Sequence, residues 1–129
     1  DMLGNFRFGM NNFYDWNICL DEKGGPNYVG NFCDAPVMCD VDSGNVHKRL
    51  SYHYIAQFSS FIREGARRIG SSVYTEALET VAFINPDGEI VTLVLNRNPE
   101  AYFLTLRLEN EIADLSIPAN SISTLCISI

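Results

Sequence analysis

The sequence has few basic residues. It contains 9 lysines and arginines against 16 aspartates and glutamates, which gives a formal net charge of −7 and an isoelectric point near 4.6. A nucleic-acid binder needs a basic face that neutralises phosphates, and an anionic membrane surface attracts basic segments in the same way. The acidic balance therefore argues against both kinds of partner.

Long apolar runs are missing too. No stretch approaches the roughly 20 apolar residues that cross a bilayer as a helix, so we expect no membrane span. The chain also lacks the basic start and apolar stretch that would predict a signal peptide. What it has is a globular composition, 47% hydrophobic and 19% charged, in 129 residues. That length suits one domain with a hydrophobic core and is too short for two ordinary domains.

The cysteines are not spaced as metal ligands. No two of them form a CxxC pair, and the two histidines, His47 and His53, do not complete a zinc site. Their apolar neighbours predict buried free thiols, and a disulfide between Cys33 and Cys39 is the alternative. We expect no metal ion and no cofactor. The cysteines are Cys19, Cys33, Cys39 and Cys126.

The first half of the chain is aromatic and irregular. Phe13–Leu20 is nearly apolar, as in a strand that is covered on both faces. Asp21–Asn31 contains Gly-Gly-Pro-Asn, which predicts a long functional loop. In Leu50–Ile62 apolar side chains recur every three or four residues, which predicts a helix. One strand, one loop and one helix do not close a layer, so the first 64 residues resemble the last βα unit of a larger barrel.

The second half consists of short runs with the alternation or apolar character of β-strands. Pro86-Asp87-Gly88 lies between two of these runs and predicts a tight hairpin. Six short strands at this spacing predict an antiparallel sandwich or a small barrel. The expected fold is mainly β, with one β-loop-α unit in residues 1–64 and an antiparallel β-sandwich in residues 65–129. The predicted strands are Arg67–Val73, Thr80–Asn85, Glu89–Leu95, Ala101–Leu108, Ala113–Ile117 and Ile122–Ile129.

Several sequence blocks carry a family resemblance. They are Asp15-Trp16-Asn17, Gly24-Gly25-Pro26-Asn27, Asn31-Phe32-Cys33-Asp34-Ala35-Pro36, Tyr52-His53, Asn85-Pro86-Asp87-Gly88 and Val94-Leu95-Asn96-Arg97. In this order and spacing they resemble the C-terminal part of glycoside hydrolase family 30, the group that contains the glucosylceramidases. The resemblance implies a retaining β-glycosidase in which a (β/α)8 barrel is fused to a β-sandwich. It makes residues 13–20 the eighth barrel strand, residues 21–48 its βα loop and residues 49–62 the last helix, with the active site at the C-terminal ends of the strands.

The resemblance also implies sugar-binding residues. Trp16 matches the residue that stacks on the sugar ring, and Asn31 matches an asparagine that hydrogen-bonds to the glycone. An indole suits the apolar C–H face of a pyranose, and the hydroxyls need amide or carboxylate partners. Tyr28 stands where family members often have tryptophan, on the aglycone side, and completes the substrate-binding set. From the residues alone, Trp16 could be a core aromatic and Asn31 a turn-stabilising amide, while Asp15 and Asp34 are expected to be scaffold carboxylates.

No catalytic residue is predicted in this chain. A retaining glycosidase needs two carboxyl groups about 5 to 5.5 Å apart, one as acid/base and one as nucleophile. The resemblance implies that these are glutamates on the fourth and seventh barrel strands, and no glutamate of this chain lies in a matching motif. We therefore expect the chain alone to be inactive and a β-linked sugar to be the substrate of the parent enzyme. Departures from the family pattern leave glucosylceramide, another β-glucoside and a β-xyloside open.

A second class of function is compatible with the same residues. An independent carbohydrate-binding or scaffolding β-sandwich, with no enzymatic parent, would show the same strand pattern. In either case an unpaired strand edge can pair with a strand of another molecule. The isolated strand at residues 13–20 therefore predicts self-association, as a homo-oligomer formed through exposed strand edges.

Overall fold

The computed structural model describes residues 2–128, and contacts between residues divide the chain into two compact units. The loop unit, as we name it, is Asn12–Ala56, and the sandwich unit comprises the residues up to Asn11 and those from Gln57 onward. No helix among the described residues is long and apolar enough to cross a membrane. The helices are α1 (Met2–Arg7) and α2 (Leu50–Ser59), and the strands are β1 (Cys19–Asp21), β2 (Val37–Cys39), β3 (Val46–Lys48), β4 (Arg67–Ile69), β5 (Leu78–Ile84), β6 (Ile90–Asn96), β7 (Tyr102–Leu108), β8 (Glu111–Ile117) and β9 (Ser121–Ile127).

Two antiparallel sheets build the sandwich unit. β4, β5, β6 and β9 lie side by side in that order, and β7 pairs with β8. β6 is internal to the first sheet and is buried at every position except Leu95, as expected of an apolar strand covered on both faces. β7 alternates between half-buried and exposed residues, which is the pattern of a strand with one face in solvent. The predicted mainly β fold with an antiparallel sandwich is confirmed, while Ile129, the end of the last predicted strand, lies outside the described residues.

The predicted hairpin at Pro86-Asp87-Gly88 joins β5 to β6. The backbone N–H of Asn85 donates to the carbonyl oxygen of Glu89 at 2.8 Å, and the N–H of Gly88 donates back to the carbonyl oxygen of Asn85 at 2.9 Å. Gly88 has a φ of +91°, a conformation that glycine adopts without steric cost. The turn chemistry of the sequence therefore fixes the register of β5 and β6, the two most buried strands.

An apolar cluster joins the two sheets. Leu78 of β5, Val94 of β6 and Ile117 of β8 are at most 3% exposed and contact one another. A cleft of about 680 Å³ lies between the same sheets and is lined by side chains of β5, β6, β7 and β9. The two sheets are therefore in contact over only part of their facing surfaces.

Helix α1, which the sequence pattern did not indicate, covers the four-stranded sheet. The ring of Phe6 stacks on Phe58 with 5.6 Å between centroids and meets Phe83 edge-on at 5.7 Å. Leu3 is 1% exposed. A helix of six residues is too short to be stable by its own propensity, so we attribute α1 to this aromatic and aliphatic packing.

Helix α2 ends at Ser59, three residues before the predicted end. Beyond Ser59, backbone groups form hydrogen bonds with the buried side chain of Asn85. Asn85 Oδ1 accepts a hydrogen bond from the N–H of Arg63 at 3.0 Å, and its Nδ2 donates to the carbonyl oxygen of Phe61 at 2.9 Å. These contacts satisfy backbone groups that a longer helix would have paired internally.

The strand predicted at residues 13–20 is wrong in both extent and burial. β1 comprises only Cys19–Asp21, and Tyr14 and Ile18 are more than 80% exposed. Upstream of β1, Asn17 has a φ of +64°, outside the extended region, and the N–H of Trp16 bonds the Asp15 carboxylate at 2.9 Å. Such local hydrogen bonds compete with a strand ladder. β1 instead pairs in parallel with β2, which pairs antiparallel with β3.

The cysteines are free, as predicted, but the prediction that they are buried is wrong. Cys19 and Cys126 are exposed, and Cys33 and Cys39 are half-buried. The alternative disulfide between Cys33 and Cys39 is also wrong, because the sulfur nearest to Cys39 Sγ is that of Cys19, at 3.3 Å. Cys33 packs instead against the small apolar core of the loop unit. Cys39 lies beside Cys19, and not beside Cys33, because β1 pairs in parallel with β2. The spacing of the cysteines in the sequence does not reveal this pairing.

Candidate functional site

The loop that follows β1 is fixed at its base by Asp21. Its Oδ1 accepts hydrogen bonds from the backbone N–H groups of Lys23 at 2.9 Å and Gly25 at 2.7 Å. The N–H of Asp21 donates in turn to the carbonyl oxygen of Gly25 at 2.6 Å. Asp21 was not among the predicted site residues, although an aspartate shortly before Gly-Gly is a turn signal. It is the residue that folds the start of the loop back on itself.

Gly24 closes the neck of this loop against Cys33. The N–H of Cys33 donates to the carbonyl oxygen of Gly24 at 3.0 Å. Gly24 has a φ of +85°, and a Cβ at this position would lie 2.2 Å from the carbonyl oxygen of Cys33. The backbone conformation and the close approach therefore both require glycine.

Replacing Gly24 with alanine should open the neck. The new Cβ would collide with backbone and would hold an unfavourable φ, so we expect a local destabilisation of about 2 kcal/mol. Amide hydrogen exchange measures it as faster exchange of the Cys33 N–H. Gly30→Ala is the matched control, because Gly30 also has a positive φ (+73°) but its Cβ would meet nothing within 4 Å. Equal protection of Cys33 in both variants would contradict the steric argument.

The tip of the loop carries two of the three predicted sugar-binding residues. Tyr28 is 100% exposed, and Asn31 is exposed as well. Asn27 fastens the tip, because its Oδ1 accepts a hydrogen bond from the N–H of Gly30 at 2.6 Å. The amide that stabilises this turn is thus that of Asn27, and Asn31 lies at the surface beyond it.

Trp16, the third predicted residue, lies in the segment that leads into β1. Its side chain is 79% exposed, so the indole is not part of a hydrophobic core. The structure places Trp16 shortly before β1 and places Tyr28 and Asn31 after it, all within the loop unit. The three predicted residues therefore share one compact unit and are all accessible.

A small core supports the base of the loop unit. Leu20, Ala35 and Met38 are at most 9% exposed and contact one another. Leu20 and Met38 face each other across the β1–β2 pair, and Cys33 packs against the cluster. The loop therefore has a buried base and an exposed tip.

The tip and the segment before β1 expose more apolar surface than the sequence reasoning anticipated. Tyr14, Ile18, Val29 and Phe32 are between 61% and 89% exposed. They flank Trp16 in one segment and Tyr28 in the other. Exposed apolar side chains in such number are typical of a surface that another protein segment or a ligand covers.

The carboxylates of the loop unit make local contacts. Asp34 forms an ion pair with Arg49, with Oδ1 3.2 Å from Nε, as expected of a scaffold carboxylate. Both side chains are more than half exposed, so this pair contributes roughly 0 to 1 kcal/mol. Glu22 Oε2 accepts a hydrogen bond from the N–H of Val41 at 3.2 Å. These contacts tie the loop after β1 to the residues that follow β2 and β3.

The turn between β2 and β3 depends on a third carboxylate. Asp40 Oδ1 accepts hydrogen bonds from the N–H groups of Asp42 and Ser43, both at 3.0 Å. Hydrogen bonds from Ser43 are the main reason that the pKa of Asp40 lies below its ordinary value. Asp40 therefore stays ionised and serves the turn. Among residues 2–128 no group of three or more His, Cys, Asp or Glu side chains is arranged to hold a metal ion.

Comparison with known proteins assigns both halves of the chain to one family. The family model of the glycosyl hydrolase family 30 TIM-barrel domain matches residues 1–62. The model of the glycosyl hydrolase family 30 beta sandwich domain matches residues 65–125. The two matches follow each other along the chain in the order that the sequence blocks predicted.

Individual relatives agree with this assignment. Lysosomal acid glucosylceramidase of Mus musculus is 38% identical over 107 residues, which cover 81% of this chain and 21% of that protein. The crystal structure of SrfJ from Salmonella typhimurium matches 98% of this chain and 28% of its own, with a TM-score of 0.94 and 38% identity. The structure of an endo-β1,6-glucanase matches 84% of this chain and 25% of its own, with a TM-score of 0.77 and 26% identity.

The chain is thus similar to one region of much longer proteins, since it spans between 21% and 28% of the length of these relatives. Its fold, its motif order and the matched family models agree. The chain belongs to glycoside hydrolase family 30, of which it spans the end of the TIM-barrel domain and the β-sandwich domain.

Proposed function

We propose that this chain is the C-terminal part of a retaining β-glycosidase of the glucosylceramidase type. In this proposal Trp16, Tyr28 and Asn31 form part of the wall of the sugar site. The observation that carries it is the loop whose neck is held by Asp21 and Gly24 while its tip is fully accessible. A fixed neck positions the tip at little entropic cost on binding.

The residue types of this wall suit a sugar. The indole of Trp16 offers a flat apolar face to the C–H groups of a pyranose ring. The amide of Asn31 offers a donor and an acceptor to its hydroxyls. Tyr28 adds a second aromatic face, which we assign to the aglycone side. Together they would orient a glycoside without reacting with it.

The names of the relatives support a glucoside as the substrate. The mouse relative is a glucosylceramidase, and one solved relative is an endo-β1,6-glucanase. Both names denote a linked glucose unit, in one case on a lipid and in the other within a glucan. A lipid-linked and a sugar-linked β-glucoside, assayed side by side with the complete enzyme, separate these two aglycones.

The division of the chain into residues 1–64 and 65–129 belongs to the same proposal. The first part would be the last βα unit of the barrel and would carry the sugar wall. The second part would be the sandwich that supports it. The matched ranges of the two family models, 1–62 and 65–125, support a boundary between them.

The catalytic acid/base and nucleophile of the proposed enzyme lie outside this chain. A retaining mechanism needs two carboxyl groups about 5 to 5.5 Å apart. Three of the glutamates are engaged in structural contacts, which supports the assignment. These are Glu22 with the N–H of Val41 at 3.2 Å, Glu79 with Arg97 Nε at 2.9 Å and Glu89 with Asn85 Nδ2 at 3.1 Å.

The chain by itself should therefore not hydrolyse a β-glucoside. Release of p-nitrophenol from its aryl β-glucoside measures this, with a known retaining β-glucosidase as the positive control. We expect the rate with the chain to equal the rate in buffer. Turnover that scales with the amount of chain and is abolished by Glu22→Gln, but not by Glu111→Gln, would contradict the proposal.

We also propose that the chain self-associates through an open strand edge. β9 is an edge of the four-stranded sheet, runs for seven residues and carries no charged side chain. The opposite edge, β4, is only three residues long and contains Arg67 and Arg68, which protect an edge from pairing. Light scattering should show a dimer whose fraction rises with concentration, and a strict monomer at the highest concentration reached would refute the pairing.

A further inference from the structure

The strand alternation of the loop unit brings two cysteines together on one face. β1 and β2 run in parallel with Leu20 opposite Met38, and both of these side chains are buried in the small core. Successive side chains of a strand point to opposite faces, so Cys19 and Cys39 lie on the other face. Their Sγ atoms are 3.3 Å apart. Two thiols that are 20 residues apart in the sequence are thus in direct contact.

Both thiols can be reached by a small reagent. Cys19 is exposed and Cys39 is half-buried. The hydrogen bond between the two sulfurs raises the pKa of the Cys39 thiol, which keeps the proton on Cys39. Cys19 is therefore the sulfur that an incoming reagent meets first, and Cys39 is a second thiol held beside it. A solvent-accessible thiol with a neighbouring resolving thiol is the arrangement of a redox-reactive pair.

We propose that Cys19 and Cys39 form a reversible disulfide that fastens β1 to β2. Cys19 begins β1 and Cys39 ends β2, so the two cysteines lie diagonally across the parallel pair, two register positions apart. Their side chains bridge this diagonal to a sulfur separation of 3.3 Å, and closing it to the bond length of about 2 Å requires a small shift of the two strand ends. Cys33, which packs against that core, does not compete for either sulfur.

The oxidant is a low-molecular-weight disulfide. The Cys19 thiolate attacks one sulfur of the oxidant and forms a mixed disulfide with it. The S–S bond of the oxidant breaks, and its other sulfur leaves as a thiolate that takes up a proton. Cys39 then loses its proton to solvent and attacks the Cys19 sulfur of the mixed disulfide, which expels the second thiolate. The two cysteines together lose two electrons and two protons, and the oxidant is reduced to two thiols.

The disulfide would close a ring over residues 19–39. That ring contains the whole loop between Gly24 and Cys33, with its tip. A cross-link of this kind restricts the unfolded chain and stabilises the folded one. Formation of the disulfide does not depend on the proposed function. An effect of the disulfide on sugar binding would depend on it.

Equilibration of the protein with oxidised glutathione, followed by alkylation and peptide mapping, tests the pairing. Cleavage after Lys23 and before Asp34 puts Cys19, Cys33 and Cys39 on separate peptides. We expect the Cys19 and Cys39 peptides to be linked and dithiothreitol to separate them. The oxidised protein should melt about 5 °C or more above the reduced protein.

Two variants make the result specific. Cys33→Ser should keep the link, and Cys39→Ser should hold Cys19 as a mixed disulfide with glutathione, because no second thiol can resolve it. Three results would overturn the proposal: alkylation of both Cys19 and Cys39 after oxidation, a link that includes Cys33, or a mixed disulfide at Cys19 that persists in the unsubstituted protein.

Discussion

Trp16→Ala in the complete glycosidase should lower kcat/KM for an aryl β-glucoside about 100-fold. An exposed indole that stacks on a ligand ring is the kind of side chain that dominates binding energy, and a loss of about 2.7 kcal/mol corresponds to that factor. In this chain Trp16 is 79% exposed and belongs to neither of the two apolar clusters, so its removal leaves no cavity in them. We expect the variant enzyme to remain folded, and its circular dichroism spectrum checks this.

A neighbouring aromatic provides the matched control for this prediction. Tyr14 lies two residues away and is 89% exposed, but it is not assigned to the sugar wall. Tyr14→Ala should change kcat/KM less than threefold, which is within the effect of an ordinary surface substitution (about 0.5 kcal/mol). Trp16→Phe should retain part of the activity, because a smaller aromatic face remains. Similar losses of kcat/KM in the two alanine variants would contradict the ring-stacking role of Trp16.

Asn96→Ala should destabilise the sandwich unit by about 3 kcal/mol. The Asn96 side chain is fully buried, and its Nδ2 lies within hydrogen-bond distance of three carbonyl oxygens. Its Oδ1 accepts hydrogen bonds from the backbone and the side chain of Asn98. Truncation would leave several of these groups buried without partners, each at a cost of about 1 to 3 kcal/mol. The carbonyls are those of Glu100, Ile117 and Pro118.

Urea unfolding of the chain, followed by circular dichroism, measures this loss by linear extrapolation. Asn110→Ala is the control, because Asn110 is an exposed residue of the turn between β7 and β8, and it should change stability by less than about 0.5 kcal/mol. Asn98→Ala should have an intermediate effect, and the double variant should lose less than the sum, since both residues belong to one network. A loss of less than about 1 kcal/mol in Asn96→Ala would show that the network is not needed.

The strands of the sandwich were predictable because their signals are local. The run Ile90–Asn96 is apolar except for Thr92 and Asn96 and is buried on both faces, and Tyr102–Leu108 alternates between half-buried and exposed residues. Pro86-Asp87-Gly88 carries the turn chemistry that joins β5 to β6. Residues within a few positions of one another determine each of these features, so no knowledge of distant contacts was needed.

The segment before β1 shows where local signals mislead. Its apolar residues suggested a strand covered on both faces, yet Trp16 and its neighbours are exposed and Asn17 adopts a left-handed conformation. A run of apolar residues does not show whether the segment is a buried strand or an exposed surface that is covered by a partner, because both are rich in apolar side chains. The difference lies in which other segments pair with the backbone.

The sequence by itself determined the family, the succession of the sandwich strands along the chain and the glycine-rich loop with its aromatic and amide residues. Only the tertiary structure decided that β1 pairs in parallel with β2, which brings Cys19 to Cys39. It also decided that Asn85 and Asn96 become buried hydrogen-bonding centres. The physical reason is range: periodicity and turn chemistry act over a few residues, whereas a thiol contact or a buried amide network joins residues 20 or more positions apart.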